Sequence, residues 1–451
     1  MTQNTQLAKL GLFDAKVPRY TSYPTAPHFT TGVQTAQFES WLQAVPEGGR
    51  VSLYIHVPFC RRLCWFCACR TQGVRNDDPV RSYLKTLEQE IRLVADTLPA
   101  GVQLSRLHWG GGTPTLLQPD MIESLAQTIT SRLPFAPDAE FSVEIDPNEV
   151  DDARLDALAA AGMNRASIGI QDFDPKIQET IGREQSFEIT AEIAGKLRER
   201  GIHSLNADIL YGLPHQDKAS IANTTKKLLS LKPDRVALYG YAHVPWMAKR
   251  QTMIPEQHLP DSIARLALFD HARELFLAAG YREIGIDHFA LPGDGLDTAL
   301  REGRLRRNFQ GYTDDTSDTL IGLGASAISR FPQGYVQNVS ATASYLAQIR
   351  EGKFASARGH AFAGDDLLRA RVIEELMCTF RVDLEAVEAE FDVPPVDLRL
   401  ELARVHQKFA PFTRHEGAVL EITPEGQPLT RMIAREFDAY SMDGNGHSLA
   451  I

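Results

Sequence analysis

The chain of 451 residues has no apolar run of the roughly eighteen residues that a membrane span needs. Its first residues, MTQNTQLAKLGLFDAK, lack both a basic start and an apolar signal core. No membrane partner is therefore expected, and a cytoplasmic location is. Positive charge is also in deficit: 47 Lys and Arg stand against 58 Asp and Glu, a net charge of -11. Phosphate backbones are held mainly by Lys and Arg, so no nucleic-acid partner is expected, and an anionic substrate would need a local basic patch. Internal repeats and low-complexity tracts are lacking, and 43% hydrophobic with 23% charged residues is an ordinary globular balance that excludes a disordered chain. Cysteine is scarce, with five in all, and the odd number and uneven spread exclude a disulfide framework.

From about residue 50, β-rich runs alternate with helical stretches. Residues 51–57, 104–109, 140–146, 165–171, 203–210, 235–241 and 281–286 read as strands. Between them, Val80, Leu84, Leu87, Ile91 and Val94 form one apolar helical stripe, and Ile189, Ile193 and Leu197 another that ends before Gly201. Repeated βα units predict an α/β fold with a mostly parallel sheet, either open and doubly wound or a full or partial barrel. In each case the chemistry gathers at the carboxyl ends of the strands. Those ends carry the cysteine cluster after the first strand, Gly110-Gly111-Gly112-Thr113 after the second, Glu144 and Asp146-Pro147 at the third and Gln171 at the fourth.

Residues 1–36 have too few periodic apolar residues to pack alone and are expected to lie as an extension on the main body, residues 37–345. From residue 346 the helical stretches 365–380 and 396–409, followed by a strand, turn and helix over 417–438, predict a small, mainly helical C-terminal domain.

Four of the five cysteines, Cys60, Cys64, Cys67 and Cys69, fall in CRRLCWFCAC. A structural zinc site would close four ligands tetrahedrally, usually as two separated pairs, and the single residue between Cys67 and Cys69 makes that convergence awkward. A thiol redox pair at Cys64 and Cys67 would leave Cys60 without a role. The C-x3-C-x2-C triad Cys60, Cys64, Cys67 could instead ligate a [4Fe-4S] cluster, leaving one iron open to a chelating molecule such as the amino-carboxylate of a methionine. That arrangement would set a sulfonium beside a low-potential electron donor. Cys378, in an apolar helical run, reads as a core residue; His56, His108 and His243 read as packing or supporting residues.

The triad directly after the first strand of a βα series resembles the signature of the radical S-adenosylmethionine (SAM) enzymes. The wider set YIHVPFCRRLCWFCACR, HWGGGTPTLL, FSVEIDPNE, SIGIQDFD, NADILYGLP, RNFQGYT and GASAIS, with RYTSYPTA near the N-terminus, resembles the oxygen-independent coproporphyrinogen III oxidases across nearly the whole chain. The resemblance implies a partial (β/α) barrel-like core that carries a [4Fe-4S] cluster on Cys60, Cys64 and Cys67, and two molecules of SAM. It implies Tyr54, Gly111, Glu144 and Ile328 for the first SAM, and Phe66, Gly112, Thr113, Gln171, Arg183, Asp208 and Ala242 for the second. The implied reaction is oxidative decarboxylation of two propionates of coproporphyrinogen III to vinyl groups, with a 5'-deoxyadenosyl radical as hydrogen abstractor and a low-potential electron donor as partner. A substrate rich in carboxylates needs cations, and Arg19, Arg306 and Arg307 are the candidates. Relatives with the same triad act as haem chaperones; they typically lack the fourth cysteine and the N-terminal extension, both present here. Cys69 is implied to stay off the cluster, and a monomer is the default expectation.

Overall fold

The computed structural model describes residues 3–391, 398–440 and 450. The first six predicted β-rich runs become strands β1 (Arg50–Val57), β2 (Gln103–Gly111), β3 (Phe135–Ile145), β4 (Arg165–Gln171), β5 (Ser204–Tyr211) and β6 (Arg235–Gly240). They lie side by side in chain order, every neighbour parallel. Crossover helices α1 (Asp78–Thr97), α2 (Pro119–Thr130), α3 (Asp152–Ala160), α4 (Phe187–Glu199) and α5 (Lys218–Ser230) join them. In α1 the predicted stripe Val80, Leu84, Leu87, Ile91 and Val94 is buried, each side chain contributing about 1.5–3 kcal/mol of burial. Helix α4 stops where expected, with Gly201 at φ +80°, a left-handed turn that favours glycine.

The seventh predicted run contracts to β7 (Arg282–Ile284), which is separated from β6 by β8 (His288–Ala290), antiparallel to both. On the other side, β9 (Leu320–Leu323) pairs in parallel with β1, and β10 (Ile328–Phe331), β11 (Gly334–Asn338) and β12 (Ser356–Ala361) follow antiparallel to complete a 12-stranded sheet. The division expected between residues 345 and 346 falls inside helix Thr342–Arg350. That helix buries Tyr345 and Ile349 in the main core, and β12 beyond it is still paired to β11, so the sheet unit runs on to Ala361.

Beyond it, helices Asp366–Thr379, Leu384–Glu390, Leu398–Phe409 and Thr430–Arg435 surround a three-stranded sheet of Arg381–Asp383, Thr413–Glu416 and Val419–Ile422. The helix expected over 396–409 is seen from Leu398, residues 396 and 397 lying outside the described residues. The N-terminal extension starts with a helix, Gln3–Lys9, and buries Leu7, Leu12, Val17, Tyr20 and Tyr23 in the core of these C-terminal helices. Among the described residues, no helix is long and apolar enough to cross a membrane.

Period-two alternation splits the parallel strands cleanly. Val51, Leu53, Ile55 and Val57 of β1, Phe141 and Val143 of β3 and Ile168 of β4 enter the apolar core beneath the helices. The intervening Ser52, Tyr54, His56, Ser142, Glu144 and Ser167 face a cavity of about 800 Å³ on the other side of the sheet. Near the amino ends of the strands that cavity has an ionic floor: Arg165 donates to Glu140 at 2.7 Å, Arg235 to Asp294 at 2.7 Å and Arg106 to Asp314 at 2.9 Å. The open mouth is therefore left to the carboxyl ends, as the barrel-like topology requires.

Candidate active site

The cysteine stretch leaves β1 as a loop laid on that mouth. A short parallel pairing, Phe59 with Gln72 and Cys60 with Gly73, closes its base. Two residues distant in sequence hold its crown: Arg250 donates to the Cys69 carbonyl at 2.9 Å and to the Thr71 hydroxyl at 3.0 Å. Gln251 donates to the carbonyls of Phe66 at 2.7 Å and Ala242 at 3.0 Å. Nothing local in the sequence marks Arg250 or Gln251, because their acceptors are mostly main-chain oxygens 9 to 185 residues away.

All five cysteines are unpaired thiols. Cys64 is buried, Cys60 and Cys67 are half-buried, and Cys67 and Cys69 line the cavity. Burial pushes the Cys60 and Cys64 thiols up, countered at Cys60 first by the Thr113 hydroxyl and at Cys64 by Arg183. The Cys67 thiol is pulled down by the hydrogen bond from the Cys69 thiol, against its own burial, and the Cys69 backbone N–H adds a contact at 3.4 Å. Among the described residues, no three His, Cys, Asp or Glu side chains converge on a single-ion position. A cube takes one thiolate on each of three irons, and three cysteines on one loop supply that donor type. The donor set fits the cube. The guanidinium of Arg183, with Nη1 3.7 Å from Cys64 Sγ, supplies a compensating charge.

The residues expected around SAM separate into two groups. Tyr54, Glu144, Ile328, Phe66, Asp208 and Ala242 line the 800 Å³ cavity together with Cys67 and Cys69. Tyr54 has its hydroxyl 2.9 Å from His56 Nδ1 and its ring stacked on His108, so both histidines support the wall. Glu144 accepts the Gly111 N–H at 3.1 Å. Asp208 accepts Asn206 at 2.9 Å and Ser167 at 3.2 Å, and its burial raises the carboxyl.

The other group, Gly111, Gly112, Thr113, Gln171 and Arg183, is not on that wall. The N–H groups of Gly112 and Thr113 are taken by the carbonyls of Val57 and Phe59, both at 2.8 Å. A Cβ on Gly112 would lie 2.5 Å from the Phe59 oxygen, so glycine is required by the close approach of two backbones. Gln171 ends β4 in the left-handed region at φ +68°. Arg183 bonds the Gly169 carbonyl at 2.8 Å and pairs with Asp146 at 3.4 Å.

The three candidate cations diverge. Arg306 turns to Glu374 at 4.0 Å. Arg19 and Arg307 face the cavity, Arg19 held at 2.8 Å by the Gly240 carbonyl. Tyr20 and Tyr23, beside Arg19, bond Asp438 and the Ala439 N–H at 2.9 and 3.0 Å, which ties the extension to the C-terminal unit. Cys378 is 2% exposed in an apolar cluster with Ile284 and Tyr312, a core residue as expected.

Comparison with known proteins agrees with this geometry. The model of the radical SAM superfamily matches residues 54–228. The oxygen-independent coproporphyrinogen III oxidase of Paracoccus denitrificans is 61% identical over 451 residues, covering all of both chains. The chain belongs to the oxygen-independent coproporphyrinogen III oxidases. A family member from Cereibacter sphaeroides is 54% identical over 98% of this chain and 99% of its own. The solved structure of the Escherichia coli coproporphyrinogen III oxidase, described as a radical SAM enzyme, superposes with a TM-score of 0.89 at 38% identity, covering 95% of this chain and 100% of that one.

Proposed function

We infer that the chain catalyses the oxygen-independent oxidative decarboxylation of two propionates of coproporphyrinogen III to vinyl groups, giving protoporphyrinogen IX in haem biosynthesis. The observation that carries this is full-length identity of 61% to an enzyme of that name, joined to the triad Cys60, Cys64, Cys67 on a loop at the mouth of a large cavity. When bound, the [4Fe-4S] cluster and SAM supply one-electron cleavage of a carbon–sulfur bond and a 5'-deoxyadenosyl radical that takes hydrogen from the propionate β-carbon.

The protein's own part is to bind, orient and exclude water. Cys60, Cys64 and Cys67 hold the cluster, and Cys69 stays off it, its N–H directed to Cys67 Sγ. Tyr54, Gly111, Glu144 and Ile328 hold the first SAM; Phe66, Gly112, Thr113, Gln171, Arg183, Asp208 and Ala242 hold the second. Glu144 and Asp208 place one carboxylate from each set on the same cavity wall, suited to hydroxyl or ammonium groups. A low-potential one-electron donor supplies the cluster, and the chain acts as a monomer. Five unpaired cysteines fit a reducing cytoplasm.

A haem chaperone is the rival within the superfamily, and Cys69 with the docked N-terminal extension favours the oxidase. Anaerobic reconstitution decides between them. The holoprotein should carry about four irons and convert coproporphyrinogen III to protoporphyrinogen IX with release of 5'-deoxyadenosine. Cys60→Ser, Cys64→Ser and Cys67→Ser should each lose the iron, and Cys69→Ser should keep it. Stable haem binding with no turnover would select the chaperone.

A further inference from the structure

A second cavity of about 500 Å³ adjoins the first, between the sheet unit, the N-terminal extension and the C-terminal unit. The two share Arg19, Gly240, Tyr241, Ala242, Asp287 and Arg307 as a common partition. Their charges are arranged differently. The arginines on the floor of the first cavity are matched by Glu140, Asp294 and Asp314. In the second, Arg265 and Arg431 are buried and donate to main-chain carbonyls, Arg265 to Tyr241 at 2.8 Å and Arg431 to Pro18 and Ala450 at 3.0 Å; Glu283 is paired with Arg273, Asp287 stands at the partition, and Asp270, Glu274 and Glu425 sit on the exposed rim.

Arg307 stands where the cavities meet. Its side chain is 4% exposed, yet Nε and Nη1 have no hydrogen-bond partner. The Asp287 carboxylate is 3.8 Å from Nη1, outside hydrogen-bond reach, and the same oxygen is engaged with His288 Nδ1 at 2.7 Å. The guanidinium carbon lies over the Tyr312 ring, 4.5 Å from its centroid, a cation–π contact. A buried guanidinium with two idle donor nitrogens is costly unless something accepts from it. Crowding of cations here is evident at Arg431, whose guanidinium is brought down to about 9 by burial and then by Arg19 and Arg307.

We propose that the partition and the buried end of the second cavity form the seat for the carboxylates that coproporphyrinogen III keeps, with Arg307 as the anchoring residue and Arg19 as its partner at the partition. This rests on the inferred oxidase reaction. Two of four chemically similar propionates are decarboxylated and two survive, so the enzyme needs a fixed purchase on side chains that do not react. Cations in the adjoining space provide it while a different propionate enters the first cavity. Arg307 thus selects which edge of the macrocycle is presented.

The test compares wild type, Arg307→Gln, Arg307→Lys and Arg19→Gln as reconstituted, full-length holoproteins under anaerobic conditions. Turnover of coproporphyrinogen III is read as kcat and KM separately. Binding is read by fluorescence with coproporphyrin III and with its tetramethyl ester, which has the same ring and no carboxylates. Wild type should prefer the tetra-acid. Arg307→Gln should raise KM about tenfold or more, the equivalent of one lost charge-assisted bond, and abolish the preference for the tetra-acid while iron content and SAM affinity stay at wild-type values. Arg307→Lys should recover part of both, and Arg19→Gln should raise KM in the same direction. Unchanged KM and unchanged acid-over-ester preference in Arg307→Gln would overturn the proposal. Should that variant fail to take up iron, an unchanged KM in Arg19→Gln would overturn it instead. Wild type that does not turn over coproporphyrinogen III would strike at the reaction; wild-type turnover with indifferent variants strikes at this seat alone.

Discussion

Glu144 reaches back across the strand ends to accept the Gly111 N–H at 3.1 Å, while its other oxygen lies 3.4 Å from His108 Nε2. The carboxylate is thus held by backbone and imidazole, and its side chain is still 42% exposed to the cavity. Glu144→Gln keeps an oxygen for Gly111 and removes only the charge. The variant should fold as wild type by circular dichroism, and its affinity for SAM should fall roughly 10- to 100-fold, the range of a charged hydrogen bond made neutral. Isothermal titration of the reconstituted protein with SAM checks this; unaltered affinity would remove Glu144 from the site.

Arg183 and Cys64 make the second relationship. With Nη1 3.7 Å from the sulfur and only 13% of its side chain exposed, Arg183 is a poorly screened positive charge beside a cysteine proposed as a cluster ligand. Positive charge favours the reduced, more negative cluster. Arg183→Gln should therefore lower the cluster's reduction potential by about 60 mV or more, a tenfold change for a one-electron couple, with iron content retained. Titration followed by electron paramagnetic resonance reads this directly. A potential within error of wild type would show that Asp146, paired to the same guanidinium at 3.4 Å, already cancels the charge.

How far the molecule was legible in its sequence depended on whether neighbours in space were neighbours in chain. Strands β1 to β6 follow one another in the sheet as in the sequence, so alternating apolar runs and amphipathic helices were enough to place them. Strands β9 to β12 are short, and β9 includes Gly322, where a Cβ would meet the Ile328 carbonyl at 2.4 Å. β9 pairs with β1, over 260 residues earlier in the chain, and β10 to β12 are added to it in turn, so no local periodicity announces where this edge joins the sheet. The same holds for the site. The cysteine spacing and strand-end residues were readable because the chemistry demands those residue types in that order. Arg250 and Gln251 were not, since any donor long enough could hold the same carbonyls. Of three candidate arginines, only packing separated Arg306, turned to Glu374, from Arg307.

Glu90 offers a pH-dependent test of how the turn leading into Ile328 is held. This carboxylate is 1% exposed in the core, where it accepts the Gly324 N–H at 2.8 Å, Asn338 at 2.6 Å and the Tyr345 hydroxyl at 2.7 Å. It thereby fixes the turn that leads into Ile328. Burial raises its pKa from 4.5 to about 7, the three donors only partly opposing the rise. A raised folded-state pKa means that the folded protein binds the extra proton: the stabilisation is complete below the unfolded value near 4.5 and is lost as pH climbs through about 7. The rise from 4.5 to about 7 corresponds to about 3 kcal/mol. Glu90→Gln is neutral throughout and still offers an acceptor to Gly324. Urea unfolding of wild type should therefore weaken between pH 5 and pH 8 by a margin of that order that Glu90→Gln does not show, and the variant should become the more stable of the two at the alkaline end. Parallel profiles for the two proteins would mean that Glu90 stays ionised in the core at every pH, its three donors outweighing its burial.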